Sequence, residues 1–134
     1  MIKIGICGYG NLGRGVEKNI QKLSDIKLVA IFTRRNPEDI KTLSDTKVVS
    51  IDKIQEYKEK IDVMIMCGGS ATDLPKQVKE INKYFNTIDS FDTHAKIPEY
   101  FKEVDESARE NEKVSIFSAG WYPGMFSIMR TYIS

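Results

Sequence analysis

Residues that bind metals or form cross-links are scarce in this chain. Its 134 residues contain two cysteines, Cys7 and Cys67, and one histidine, His94. The cysteines do not have the spacing of a zinc motif, and a single histidine cannot complete a ligand set with them. Two cysteines also do not make the disulfide framework of a small secreted domain. We therefore expect neither a metal centre nor a disulfide scaffold.

Long apolar runs and an excess of one charge are also missing. No stretch reaches the ~20 apolar residues that a membrane-spanning helix needs, and no basic region with a signal core opens the chain. The 20 basic and 19 acidic residues give a net charge of +1, so there is no basic field for nucleic acid. The sequence predicts a single-domain, cytoplasmic protein that binds neither membranes nor nucleic acid.

What the chain does contain is a glycine motif directly behind an apolar N-terminal segment. Residues 2–7 have the pattern of a buried strand, and Gly8, Gly10 and Gly13 follow at the spacing G-x-G-x-x-G. In dinucleotide-binding folds the first glycine permits the turn, the second lets the backbone approach a pyrophosphate, and the third lets a helix lie close to the sheet. The motif predicts a dinucleotide site. The alternative is a glycine turn that only connects two packed elements.

A helix is predicted to begin at this motif. Its apolar face would consist of residues at helical spacing, namely Leu12, Val16, Ile20 and Leu23. The free N–H groups and the positive dipole end at the start of this helix would point at the phosphates of the nucleotide.

The residues after the second predicted strand, 27–32, indicate which nucleotide fits. NAD-selective sites place an acidic side chain here for the ribose 2′-hydroxyl, whereas an arginine accommodates a 2′-phosphate. In this chain Thr33, Arg34 and Arg35 come first, and the first acidic residue, Glu38, lies beyond a proline. Guanidinium groups offer forked donors to phosphate oxygens, and the threonine hydroxyl can add a contact. The predicted cofactor is therefore NADP; alternatively, the two arginines only belong to a solvated turn.

Strands and helices alternate along the rest of the chain. Further strands are expected at 46–50, 61–67, 87–91 and 113–118, and a short helix capped by Asp52 at 52–60. Two longer helices would bury apolar sets at helical spacing, first Leu74, Val78, Ile81 and Phe85, then Phe101, Val104 and Ala108. The pattern predicts an α/β fold, a doubly wound, mainly parallel six-stranded Rossmann sheet with helices on both faces.

The fourth predicted strand would lie beside the first, where the strand order reverses and where ligands bind in such sheets. It leads into Gly68, Gly69 and Ser70, so this loop would face the cofactor, and Ser70 could either contact a ligand or cap the next helix. Cys7 and Cys67 would end these neighbouring strands. They are either small buried hydrophobic residues or a redox pair.

Five sequence blocks together resemble meso-diaminopimelate dehydrogenase. They are G-Y-G-N-L-G-R, F-T-R-R, C-G-G-S-A-T-D-L-P, D-S-F-D-T-H and S-A-G-W-Y-P-G-M-F-S. These blocks span nearly all of this chain but only the first part of the family's longer one. The resemblance implies NADP-dependent oxidative deamination of meso-2,6-diaminopimelate to L-2-amino-6-oxopimelate and ammonia, in the metabolism of lysine and cell-wall precursors.

The resemblance also implies roles for the residues that match these blocks. At the pyrophosphate it places Tyr9, Gly10, Asn11 and Leu12, and at the 2′-phosphate Thr33, Arg34 and Arg35. Further cofactor contacts are expected at Cys67, Gly68, Gly69, Ser70, Ser90, Phe91, Asp92, Ala119, Gly120, Trp121, Tyr122 and Pro123. The amino-acid substrate would contact Asp92, Trp121 and Tyr122. The alternatives are that Asp92 caps a helix or forms a turn and that Trp121 only packs, and His94 is expected to be structural.

Two departures from the family limit what is expected of this chain. Tyr122 stands where the family's G-W-D-P-G block has an aspartate, which removes a carboxylate expected near the substrate's amino group. Residues 1–120 are expected to form the NADP-binding domain, and 121–134 to begin the connection to an absent substrate and dimerisation domain. The chain alone would then be inactive, whereas the longer family protein would form a homodimer.

Two other functions stay open at the level of the sequence. One is a stand-alone NADP-binding module whose apolar segment 125–134 associates with another chain. The other is a related enzyme that resembles dihydrodipicolinate reductase or a sugar dehydrogenase.

Overall fold

Six parallel strands form the centre of the structure. The computed structural model describes residues 1–68, 74–89 and 96–116. Within these ranges the strands are β1 (Ile2–Cys7), β2 (Ile26–Thr33), β3 (Val48–Ser50), β4 (Val63–Met66), β5 (Asn86–Asp89) and β6 (Ser115–Ile116). Their order is β3-β2-β1-β4-β5-β6, and each neighbouring pair is parallel. The predicted Rossmann-like sheet is confirmed.

Helices cover both faces of this sheet. They are α1 (Asn11–Ile20), α2 (Leu74–Ile81) and α3 (Ile97–Glu110). Two short 3₁₀ helices, Pro37–Asp39 and Ile51–Tyr57, lie between α1 and α2 in the sequence. On one face the core contains Ile4, Ile6, Ile20 of α1 and Ile31. On the other face α2 and α3 add Val78, Ile81, Tyr100 and Val104 to a larger core. Because side chains alternate along a strand, β1 contributes to both cores.

None of the helices in the described part of the chain has both the length and the apolar character needed to cross a membrane.

The face of α1 that packs on the sheet differs from the predicted one. Leu12 and Leu23 are 45% and 49% exposed, whereas Gly13 and Glu17 are buried. A Cβ on Gly13 would lie 2.5 Å from the carbonyl oxygen of Gly8, so Gly13 has to face the turn that precedes the helix. The residue one turn later then faces the same way, which buries Glu17. The prediction was therefore wrong at both leucines.

The buried face of α3 also includes polar residues that the apolar pattern did not indicate. Phe101, which was predicted to be buried, is 49% exposed, while Tyr100 and Ser107 are buried. The Tyr100 hydroxyl donates a 2.5 Å hydrogen bond to Asp89 at the end of β5, and Ser107 donates to the carbonyl oxygen of Lys79 in α2. These partners allow polar groups to be buried at little cost.

Several element boundaries differ from the sequence-based ones. Residues 51–57 form a 3₁₀ helix whose N-cap is Ser50, which accepts a hydrogen bond from the backbone N–H of Asp52, so Asp52 is not the cap. Phe85 is buried but follows the end of α2. Strands β3 and β4 are shorter than expected. The predicted ends of the last two strands, at 90–91 and 117–118, lie outside the described residues.

Candidate functional site

A cleft of about 270 Å³ opens at the carboxyl ends of β1, β2 and β4. These are the strands around the point where the strand order reverses, which is the ligand-binding position of doubly wound sheets. The cleft is lined by Cys7, Gly8, Tyr9, Gly10, Phe32, Thr33, Arg34, Arg35, Ile51, Cys67, Gly68 and Gln77. It therefore contains both the turn of Gly8, Tyr9 and Gly10, called the glycine turn below, and the two arginines that the sequence singled out.

The glycine turn leaves an open, anion-accepting space at the start of α1. Gly8 has a φ of 98°, a backbone conformation that side chains disfavour, and its N–H donates to the carbonyl oxygen of Phe32 (2.9 Å). Among the residues that the structure describes, no atom lies within 4 Å of a Cβ placed on Gly10. Gly10 is also the N-cap of α1, and it provides no side chain to cap the first-turn N–H groups. These N–H groups and the space above Gly10 suit a phosphate.

The arginine pair is joined to the glycine turn by direct contacts. The Nη2 atom of Arg35 donates to the carbonyl oxygen of Tyr9 at 2.8 Å. The backbone N–H of Arg35 donates to Oγ1 of Thr33 at 3.0 Å, which shapes the turn after β2. Arg34 and Arg35 are both exposed, so positive charge lies at the mouth of the cleft. Such a pair is suited to a phosphate monoester.

Tyr9 lines the cleft and is also part of the core on one face of the sheet. The side chain is only 3% exposed, and its hydroxyl donates a 2.5 Å hydrogen bond to Glu17 in α1. Burial, followed by this bond, raises the pKa of Tyr9 above its ordinary value. The guanidinium of Arg14 lies 5.4 Å from the centre of the Tyr9 ring. Tyr9 thus fixes the position of the glycine turn from within the core.

Asn11 and Leu12, the other residues expected at the pyrophosphate, lie in the first turn of α1 and do not line this cleft. Both are exposed and border a separate apolar groove on the outer side of α1. Their backbone N–H groups belong to the first turn of α1, which is the part of a helix that suits a phosphate.

The two cysteines are both free. Cys7 is buried in the core that contains Phe32, whereas Cys67 packs against the core on the opposite face of the sheet. Burial raises the pKa of each thiol to about 12; Cys67 further raises that of Cys7, and Arg34 opposes the rise. Both thiols are therefore protonated near neutral pH and poor nucleophiles, which fits packing rather than redox chemistry.

Gln77 is a cleft residue that the sequence did not single out. It lies at the junction of the cleft with a second groove of about 410 Å³, between the 3₁₀ helix Ile51–Tyr57 and α2. Its Oε1 atom is buried and has no hydrogen-bond partner among the described residues. α2 follows β4, the strand next to β1, so the first turns of α2 are expected near the cleft. This position in the fold was the signal in the sequence that could have identified Gln77.

The remaining predicted site residues lie outside the described part of the chain. They are Gly69, Ser70, Ser90, Phe91, Asp92, Ala119, Gly120, Trp121, Tyr122 and Pro123, and His94, which was expected to be structural, lies there as well. Their expected roles stay predictions.

The curated relatives of this chain carry the name meso-diaminopimelate D-dehydrogenase. No family model matches the chain. The meso-diaminopimelate D-dehydrogenase of Ureibacillus thermosphaericus is 59% identical over 129 residues, which are 96% of this chain and 40% of that protein. The chain is homologous to the N-terminal part of the meso-diaminopimelate dehydrogenases. It spans about 40% of the length of these relatives.

Solved structures agree with this homology. An engineered D-amino acid dehydrogenase bound to NADP⁺ is 40% identical with a TM-score of 0.90, over 98% of this chain and 40% of that one. The C. glutamicum DAP dehydrogenase in complex with DAP is 40% identical with a TM-score of 0.89, over the same shares. Both dehydrogenases share the fold of this chain, and the engineered one is bound to NADP⁺.

Proposed function

We propose that this chain binds NADP as the nucleotide-binding part of a meso-diaminopimelate dehydrogenase. The observation that carries the proposal is the contact between Arg35 and the carbonyl oxygen of Tyr9, which joins an arginine pair to a glycine turn in one cleft. NADP carries phosphate groups at two separated places, the pyrophosphate and the ribose 2′-position. One molecule can therefore use both parts of the cleft.

The residues of the cleft fit this cofactor. Gly10 and the uncapped first turn of α1 would hold the pyrophosphate, because no atom of the described residues lies within 4 Å of a Cβ placed on Gly10. Thr33, Arg34 and Arg35 would hold the 2′-phosphate. The unpartnered Oε1 of Gln77 suits a hydrogen-bond donor of the bound nucleotide. When bound, the nicotinamide would accept a hydride from the substrate.

The chemistry proposed for the longer protein is oxidative deamination of meso-2,6-diaminopimelate. Its support is the homology to dehydrogenases that carry this name, one of them solved with DAP. Asp92, Trp121 and Tyr122 are proposed to contact this substrate. Residues 1–120 are proposed as the NADP-binding domain, and 121–134 as the start of the connection to a further domain. We expect this chain alone to bind the nucleotide without turnover, because the remaining substrate contacts belong to that further domain.

Cofactor binding is tested by titrating the chain with NADPH and NADH while monitoring nicotinamide fluorescence. We expect saturable NADPH binding that is at least about tenfold tighter than NADH binding, since charge-assisted phosphate contacts contribute ~1–2 kcal/mol each. Equal affinity for the two nucleotides would contradict the proposed role of the arginines, and absence of binding would contradict the proposed function.

The reaction is tested on the complete gene product that contains this chain. It should reduce NADP when given meso-diaminopimelate, and the variant Tyr122→Asp, which restores the family carboxylate, should keep or increase this activity. If neither version oxidises the amino acid, the proposed substrate is wrong even where NADPH binds.

A further inference from the structure

Glu17 is a buried carboxylate whose role the cofactor contacts do not explain. It lies in α1, its exposed fraction is 0%, and it cannot touch a ligand in the cleft. Its Oε1 accepts hydrogen bonds from the Tyr9 hydroxyl (2.5 Å) and the backbone N–H of Leu43 (3.2 Å). Its Oε2 accepts from the backbone N–H of Ser44 (3.1 Å) and from the Ser44 hydroxyl. Each oxygen thus has two donors.

These bonds keep the buried group ionised. Burial alone would raise the pKa of Glu17, but the hydrogen bonds from Ser44, Tyr9 and the backbone outweigh it and lower the pKa. A carboxylate with four donors is satisfied without a cationic partner. Replacing it with an amide would turn one of the two acceptors into a donor and leave donor facing donor.

The partners of Glu17 belong to the segments that build the cofactor cleft. Tyr9 belongs to the glycine turn, and Leu43 and Ser44 lie between the arginine pair and β3. The segment between β2 and β3 is thus tied to the glycine turn and to α1 at two places. Arg35 binds the Tyr9 carbonyl at the near end, and Ser44 binds Glu17 at the far end.

The far end of this segment depends on side-chain bonds for its shape. Asp45 has a φ of 56°, in the left-handed region, and the hydroxyls of Ser44 and Thr46 on either side are hydrogen-bonded to each other (2.6 Å). A residue in this conformation costs free energy that surrounding contacts have to offset. Glu17 supplies such contacts through Ser44.

We infer that Glu17 is a positioning residue for recognition of the 2′-phosphate. By holding the segment 36–46 against α1 and Tyr9, it keeps Arg34 and Arg35 where the phosphate of NADPH would bind. NADH lacks this phosphate and depends mainly on the glycine turn. Glu17 therefore controls the selectivity between the two nucleotides without contacting either, an inference that rests on the proposed NADP site.

The test compares NADPH and NADH affinities of the 134-residue chain and its variants. In Glu17→Gln we expect the NADPH dissociation constant to rise about tenfold and that of NADH less than about threefold, because two hydrogen bonds to a charged group are lost. Ser44→Ala, which removes one donor, should shift the ratio in the same direction by about threefold. Ser24→Ala, an exposed serine in the turn after α1, is the matched control and should change neither affinity.

The outcomes separate this inference from the proposed function. If Glu17→Gln folds and its affinities for NADPH and NADH fall equally or do not change, Glu17 has only a structural role and the inference is wrong. Where Glu17→Gln fails to fold by circular dichroism, Ser44→Ala decides in the same way. No NADPH binding by the unmodified chain would overturn the proposed function and, with it, this inference.

Discussion

Arg34 and Arg35 give the most direct test of cofactor choice at the level of single residues. We predict that replacing both with alanine weakens NADPH binding by ~2–4 kcal/mol, at ~1–2 kcal/mol for each charged contact. NADH binding should change little, because it has no 2′-phosphate. Fluorescence titration with both nucleotides measures the effect.

A suitable control for the arginine pair is Arg109→Ala in α3. This arginine is exposed and pairs with Asp105 away from the cleft, so its loss should alter neither affinity. Equal losses of NADPH and NADH binding in the double variant would show that the pair supports the fold of the cleft and does not recognise the phosphate.

Gln77 permits a prediction in which stability and binding change in opposite directions. Its buried Oε1 has no hydrogen-bond partner among the described residues, and such a group lowers the free energy of unfolding by ~1–3 kcal/mol. We expect Gln77→Met, of similar size, to stabilise the free chain by about 1 kcal/mol and to weaken nucleotide binding several-fold. Urea unfolding and NADPH titration measure the two effects. The control is Gln21→Met, at an exposed position after α1, which should change neither the stability nor the affinity. A Gln77→Met chain that is stabilised and binds NADPH with full affinity would show that Gln77 does not contact the nucleotide.

At the start of α1 the roles of Gly10 and Gly13 can be separated by experiment. An alanine Cβ at position 13 would lie 2.5 Å from a backbone oxygen, whereas one at position 10 or 15 would meet nothing within 4 Å. We predict that Gly13→Ala destabilises the chain by ~1–3 kcal/mol because the helix has to move away from the turn. Gly10→Ala should leave stability nearly unchanged and weaken NADPH and NADH alike, because its methyl group would occupy the pyrophosphate space.

Gly15→Ala is the matched control for these two variants. It lies in the middle of α1, where alanine is favoured over glycine, so it should stabilise the chain by ~0.5–1 kcal/mol without changing affinity. Thermal unfolding and nucleotide titration of the three variants provide the comparison. A Gly10→Ala chain that binds both nucleotides normally would place the pyrophosphate elsewhere.

The helices also show what an apolar pattern can and cannot predict. The existence and order of α1, α2 and α3 followed from helical spacing, but the buried faces of α1 and α3 did not. Glu17 and Tyr100 are buried because they bond to Ser44 and Asp89, which are distant in the sequence. A spacing rule counts apolar side chains, and it cannot detect a polar residue whose partner arrives only with the fold.

At the scale of the whole molecule, the strand order of the sheet could be predicted because two general rules of α/β folds determine it. Strands that alternate with helices form a parallel sheet, and a glycine motif after the first strand marks the position where the order reverses. These two rules predict that Gly10, Arg34 and Cys67 lie at one edge of the sheet, and all three line the same cleft. The hydrogen bond from Arg35 to the carbonyl oxygen of Tyr9 could not be predicted, because it depends on side-chain packing around that edge.

The acid sensitivity of the whole fold should depend on Glu17. Its pKa in the folded chain lies below the ordinary value of 4.5, because hydrogen bonds from Ser44, Tyr9 and the backbone outweigh the effect of burial. A lowered pKa stabilises the fold above pH 4.5, and this contribution is lost as the pH falls further through the folded-state pKa. We therefore predict that the difference in unfolding free energy between the chain and Glu17→Gln is largest near pH 6 and shrinks toward pH 3.

Urea unfolding of both proteins across this pH range measures the difference, with exposed Glu59→Gln as the control that should show no such trend. A difference that stays constant with pH would mean that folding does not shift the pKa of Glu17, and one that grows as the pH falls would mean that folding raises this pKa.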